Sequence, residues 1–158
     1  MRLQFNMFQT FTLGGTKVLV TTGFGPRHSG IRNSEIIDLE DPSFRCTISQ
    51  FPTSASTATG GLVGNAPLIC GGGWGRWNNV DKSCYSLKED GTWKHEKSSD
   101  LSVARRSAAN GFLTINNKLV IAGGIDGKNK RLATIIREHL YQTQVMGNDS
   151  DKILYDIV

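Results

Sequence analysis

Three histidines, three cysteines and several glycine-rich turns are the residues of this chain whose types and spacing could do chemistry. His28, His95 and His139 fall in separate stretches with no shared i, i+2 or i, i+4 spacing, so they do not converge on a metal ion and are expected as solvated surface side chains. Cys46, Cys70 and Cys84 form no CxxC pair and hence no zinc site. The segment GGIDGKN (Gly123 to Asn129) contains a Gly-Lys pair. Ala122, however, stands where a phosphate-binding loop needs its first glycine, and Asn129 where it needs Ser or Thr for magnesium. GGGWG (Gly71 to Gly75) precedes no helical pattern that would present amides to a dinucleotide. Trp74, Arg76 and Trp77 could stack bases, yet no Lys/Arg-rich stripe accompanies them. Asn148-Asp149-Ser150 is a glycosylation acceptor that matters only in an exported chain. These readings leave no metal, no cofactor and no nucleic acid, and favour recognition over catalysis.

The elements that must position such residues follow from composition and repetition. With 158 residues, 38% hydrophobic and 20% charged, the chain has the make-up of a soluble globular protein. Its 18 glycines against 4 prolines exclude collagen and proline-rich disorder and point to turns. No apolar stretch is long enough to span a membrane. The start MRLQFNMFQTFTLGG lacks an apolar h-region and a cleavage site, so a cytoplasmic location is expected, or an extracellular one if the chain is truncated at its N-terminus.

The segments VLVTTG (Val18 to Gly23), PLICGG (Pro67 to Gly72) and LVIAGG (Leu119 to Gly124) align without gaps as apolar strands ending in glycine, with final glycines 49 and then 52 residues apart. A second strand follows each, in SEIIDLED (Ser34 to Asp41), KSCYSLKED (Lys82 to Asp90) and LATIIREHL (Leu132 to Leu140). Asp90-Gly91 reads as a two-residue hairpin leading into Trp93, and Phe44 takes the corresponding place in the first unit. Gly64-Asn65 and Asn116-Asn117 mark reversals from a preceding strand, which predicts four strands per unit. Ile135 to Gln144 is read as strand although its pattern could be helical. A four-stranded antiparallel unit cannot bury its faces alone, so the units must stack or close into a ring.

The glycine doublet ending an apolar strand, an aromatic 13 residues later (Tyr85) and a Trp eight beyond it (Trp93) resemble the kelch repeat, whose family builds four-stranded blades of a β-propeller. The resemblance runs from Lys17 to Leu140. It is most specific in the middle unit, where ICGGG, CYSLKEDGTW and VARRSAANG appear in order, the last matching the arginine that kelch repeats carry before the next blade. The wording of the first two units is similar to divergent invertebrate kelch proteins. The first unit departs with TTG, neither outer unit has the Trp, and the pattern is lost after Tyr141. The resemblance implies an all-β fold of three blades near 14–57, 58–107 and 108–141. Residues 1–13 would be an N-terminal segment able to supply a strand of the first blade, and 142–158 a divergent tail. Propellers close with about 4 to 8 blades, so the ring is expected to be incomplete, with self-association or missing blades completing it.

Repeat scaffolds hold variable loops on one rim, and the resemblance implies that those between the second and third strands recognise protein. They are FGPRHSGIRN with Arg27 and Arg32, WGRWNNVDK with Trp74, Arg76 and Trp77, and DGKNKRLA with Lys128, Lys130 and Arg131, carrying +2, +1 and +2 in a molecule of net charge +4. The expected partner is a protein or acidic peptide gripped by these residues, in an adaptor or substrate-receptor role, and not a nucleic acid or a membrane. Kelch-like propellers also include sugar-processing enzymes, but no convergent acid/base or metal set is present, so no enzyme is expected. Cys70 and Cys84 are expected to be cross-strand neighbours carrying buried reduced thiols, since nothing in the sequence marks an oxidising compartment.

Overall fold

A computed structural model describes residues 8–25, 30–41, 43–74, 79–108, 113–115, 118–133 and 135–139. Over these residues the chain is all-β, with a single 3-10 turn at Lys97–Ser99. Strands β1 (Gln9–Thr12), β2 (Lys17–Phe24), β3 (Gly30–Asp38) and β4 (Arg45–Thr47) form the first antiparallel sheet in sequential order. The second contains β5 (Thr59–Val63), β6 (Ala66–Cys70), β7 (Cys84–Leu87) and β8 (Trp93–His95). The third contains β9 (Leu113–Ile115), β10 (Lys118–Ala122) and β11 (Ile135–His139), with no fourth strand among the described residues. The segment 1–13 thus contributes β1, which pairs with β2 ahead of residue 14. The reversal at Asn116-Asn117, the tail 142–158 and its glycosylation acceptor lie outside the described residues.

The period-2 alternation of each strand assigns its two faces to two neighbours. On β6, Ile69 packs with Phe11 and Leu19 of the first sheet, while Leu68 and Cys70 pack with Leu119 and Ile121 of the third. The second sheet is therefore sandwiched, and two apolar layers separate the three sheets. Trp93 and Tyr85 lie in the first of these layers, both edge-on to Phe51. The Trp93 indole Nε1 donates to the Ser49 carbonyl at 3.2 Å, so its polar edge reaches a backbone acceptor as its apolar body fills the seam.

Register corrects three details of the sequence reading. Ile37 pairs with Arg45 as Leu87 pairs with Trp93, so Arg45, one residue beyond Phe44, holds the Trp93 position in the first sheet. Phe44 instead lies under the Lys17 ammonium, 5.4 Å from its ring centroid. The turn at Asp90-Gly91 has three residues. The Gly91 amide donates to Lys88 O at 3.0 Å, Lys88 N donates to Thr92 O at 2.8 Å, and Gly91 has φ 77°, as in a type I turn closed by a left-handed residue. Arg32, expected in a loop, is inside β3.

The cysteines require a larger correction. Cys70 and Cys84 are directly opposite on β6 and β7, their Cα atoms 4.1 Å apart, and they are joined by a disulfide across 14 residues of sequence. They are not reduced thiols, and the free thiol among the described residues is the exposed Cys46. The cause is register: the same cross-strand position holds the Thr21–Ser34 hydroxyl pair at 2.6 Å in the first sheet and Ala122 opposite Ile135 in the third.

The glycine-ended strands share one backbone conformation. Thr22, Gly71 and Gly123 have φ of 54°, 67° and 68°, and a Cβ on Gly71 would sit 2.6 Å from the Arg105 carbonyl oxygen. Thr22 adopts the left-handed region with a β-branched side chain that is fully buried, and its hydroxyl has no partner among the described residues. Thr22→Gly is therefore expected to stabilise the fold by about 1 kcal/mol, relief of strain and of the buried hydroxyl exceeding the lost methyl contact and the entropy of glycine. Urea denaturation checks this, and a loss of stability would show that the threonine contributes packing that outweighs its conformation.

Candidate functional site

The connections from β2 to β3, β6 to β7 and β10 to β11 leave equivalent strand ends, and short backbone bridges repeat at their bases. Gly73 bridges Ser56 and Val80 as Ile125 bridges Arg106 and Arg131. Trp74 and Asp126 consequently occupy matching first positions, with Trp74 N donating to Asn79 O at 3.2 Å and Asp126 N to Lys130 O at 3.0 Å. Each loop is closed at its base by backbone pairing before any side chain contributes.

Residues 123–133 of the third connection are described. Asp126 Oδ1 accepts the amides of Lys128 at 2.9 Å and Lys130 at 2.8 Å, and the Asn129 amide donates to Asp126 O. Asn129 takes φ 63°, a conformation asparagine tolerates better than most residues. The carboxylate is thereby engaged on the backbone of its own loop, and Lys128, Lys130 and Arg131 are left on its exposed side. Three cations on one turn, around a single acidic group turned to local hydrogen bonding, make a surface suited to carboxylates.

Two arginines that the sequence reading treated only as a repeat feature support this rim from beneath. Arg105 is 1% exposed, its Nη1 donating to Gly123 O at 2.7 Å, and burial pulls its pKa down. Arg106 Nη2 donates to Asn129 Oδ1 at 3.2 Å, and its Cδ lies 3.4 Å from where a Cβ on Gly73 would sit. One buried side chain thus touches the third loop and the base of the second. The signal available in the sequence was the adjacent pair in VARRSAANG, but only stacking of the sheets reveals which loops it joins.

The remaining candidate residues are distributed differently. Trp74 is exposed at 40%, on the second loop. Arg27, Arg76 and Trp77 lie outside the described residues. Arg32 donates from Nε to Phe51 O at 2.7 Å and accepts the Phe51 amide at its own carbonyl at 2.7 Å, so it pins the link between the first two sheets. That contact gives it a structural task in β3 apart from any loop. His95 is not simply solvated: its Nε2 pairs with Asp100 Oδ1 at 2.8 Å and its ring stacks on Tyr85 at 5.0 Å. Burial pushes the Tyr85 phenol up, with the Ser83 hydroxyl opposing. Among the described residues no three His, Cys, Asp or Glu side chains group to hold a metal.

At the opposite end of the sheets a cleft of about 540 Å³ opens between the first two, floored by Leu13, Ile36, Ile48, Pro67 and Leu87 and including Cys46. The Asp90 carboxylate at its edge is held below the usual range by the Thr92 hydroxyl and then the Thr92 amide, so it serves its own turn. No helix among the described residues is long and apolar enough to cross a membrane.

No family model matches this chain, and neither does any curated protein. The solved structure of YjhT is similar in fold, with a TM-score of 0.74 at 14% identity, covering 93% of this chain. The chain spans 46% of the YjhT chain, about half its length.

Proposed function

We propose that the chain is part of a kelch-type β-propeller, each sheet a blade, and that its rim loops bind an acidic peptide segment of a partner protein in an adaptor or substrate-receptor role. The observation that carries this reading is the third loop. Asp126 and Asn129 hold a defined turn from which Lys128, Lys130 and Arg131 are all exposed, next to a loop presenting Trp74. A preorganised cationic turn beside an exposed indole matches the chemistry of carboxylate-rich peptides, because little ordering is left to pay for on binding. Repetition of the glycine-ended strands in three stacked sheets supports the blade reading.

The test is fluorescence anisotropy with a labelled Asp/Glu-rich peptide and a neutral control of equal length. The double variant Lys130→Glu/Arg131→Glu is expected to weaken binding at least about tenfold, or roughly 1.4 kcal/mol. Affinity of the native chain should fall as salt is raised from 50 to 300 mM, values chosen to shorten the screening length. Arg76→Ala and Trp77→Ala should each cost about 1 kcal/mol or more as anchors. Equal affinity for the neutral peptide, or a double variant that binds as well as the native chain, would remove the rim loops from the function.

A further inference from the structure

Ser56 and Arg106 hold the same position in successive links between the sheets, since Ser56 bridges Gly73 as Arg106 bridges Ile125. Their side chains reach different distances. The Ser56 hydroxyl ends on the backbone beside it, donating to the Gly73 carbonyl. Arg106 is long enough to leave its own link. Its main chain is bonded in both directions to Ile125, at 3.0 and 2.9 Å, which anchors it at the base of the third loop. Its Cδ then passes 3.4 Å from where a Cβ on Gly73 would sit, at the base of the second loop, and its Nη2 donates to Asn129 Oδ1 at 3.2 Å. The same Cβ would lie 2.6 Å from the Asn79 carbonyl oxygen, so the bare backbone of Gly73 lets the second loop close and the arginine pass at one point.

Asp126 and Arg106 act differently on the third loop. The Asp126 carboxylate bonds the amides of Lys128 and Lys130 and so sets the internal shape of the turn. Asn129, between those two residues at φ 63°, is where a side chain from outside the turn takes hold of it. We infer that Arg106 is a positioning residue that fixes the 128–131 turn against the second loop, making the two loops one binding site, and that the acidic segment bound there carries an apolar side chain beside its carboxylates. The inference rests on peptide binding by the rim loops and specifies what that peptide contains. The apolar requirement comes from Trp74, one residue beyond Gly73 and 40% exposed. An indole offers little to a carboxylate but covers an apolar side chain well. Arg106 itself is only 6% exposed, so its effect on binding passes through the two loops it touches.

Fluorescence anisotropy tests it with two labelled Asp/Glu-rich peptides that differ at one central residue, Leu in the first and Ala in the second. The native chain is expected to bind the Leu peptide at least about threefold more tightly, and Trp74→Ala to abolish that preference. Trp74→Ala and Lys130→Glu, singly and together, form a double-variant cycle on the Leu peptide. Their combined loss should differ from the product of the single losses by at least about threefold in the native background. The difference should vanish in Arg106→Met, which keeps its packing on Gly73 but has no donor for Asn129. Arg106→Lys should behave as Arg106→Met, because its ammonium stops one bond short of the guanidinium nitrogen and retains only the charge. A merely structural role would lower stability and all affinities together and leave the coupling in place. Equal affinity for the two peptides, no coupling in the native chain, coupling that persists in Arg106→Met, or a native-like Arg106→Lys overturns the inference and leaves peptide binding by the loops standing. A native chain that binds neither peptide overturns both. Far-ultraviolet circular dichroism checks that each variant is folded. Should Arg106→Met fail to fold, Asn129→Gly removes the same hydrogen bond with a residue suited to φ 63° and takes its place in the cycle.

Discussion

Denatured without reductant, the chain is expected to titrate one thiol, that of Cys46, and to lose about 3 kcal/mol of stability when the Cys70–Cys84 bridge is opened. The magnitude follows from the ring the bridge closes. Removing a cross-link over a loop of 14 residues returns that much configurational freedom to the unfolded chain. Both half-cystines are fully buried between the second and third sheets, so reduction in the native state should be slow and should follow opening of the β6–β7 pair. The ring encloses residues 71–83, including Trp74 and the base of the second rim loop, so the bridge also restrains the ends of that loop. The double variant Cys70→Thr/Cys84→Ser reproduces the pair found at Thr21 and Ser34, and should recover only about 1 kcal/mol through a hydrogen bond. Ellman titration in guanidinium, with and without prior reduction, and urea melts of both forms are the measurements. Three reactive thiols without reductant would mean that the bridge does not form.

Phe51→Ala should cost about 3–5 kcal/mol, the range for removing a fully enclosed aromatic ring. Phe51 lies in the segment joining the first sheet to the second, 1% exposed, with its ring edge-on to Tyr85 at 5.3 Å and to Trp93 at 4.9 Å. Edge-to-face pairs of this kind contribute about 0.5–1.5 kcal/mol each beyond area burial, and the void left by alanine would lie between two sheets. Its backbone is bonded in both directions to Arg32, so the ring cannot withdraw without breaking those bonds. Phe51→Leu keeps most of the volume and should cost less than half as much. Urea denaturation followed by tryptophan emission reads both, because Trp93 reports on this layer. A cost below about 1 kcal/mol for the alanine variant would show that the first two sheets are not held together through this ring.

These two effects differ in how visible they were in the sequence. Cys70 and Cys84 could be placed as cross-strand neighbours from the strand pattern, but whether they were bonded turned on the compartment, which residue types and spacing do not encode. Direct opposition in the structure decided it. Phe51 stands in a loop-like stretch, FPTSAST, where no periodicity marks a core residue. Its burial arises because the segment crosses between two sheets stacked face to face. The same holds for Arg106, whose contact with Asn129 spans 23 residues, and for Trp93, which reaches Ser49 across 44.

What the sequence by itself determined is therefore local: β-strands from short apolar runs ending in glycine, their repetition about every 50 residues, from which with the kelch resemblance the all-β class was expected, and the repeated strand ends from glycines that tolerate the left-handed conformation cheaply. The strands and their ends rest on backbone sterics and side-chain direction within a few residues, and both are legible in a short window. Even there the threonine at position 22 shows that surroundings can hold a residue in a conformation its own chemistry disfavours. The tertiary structure alone decided the bridge between Cys70 and Cys84, the inclusion of Arg32 in β3, the engagement of Asp126 on its own loop, and the single arginine that touches two loops. These depend on register and on sheet-to-sheet stacking, which a one-residue slip would change throughout, and no local window of sequence carries that information.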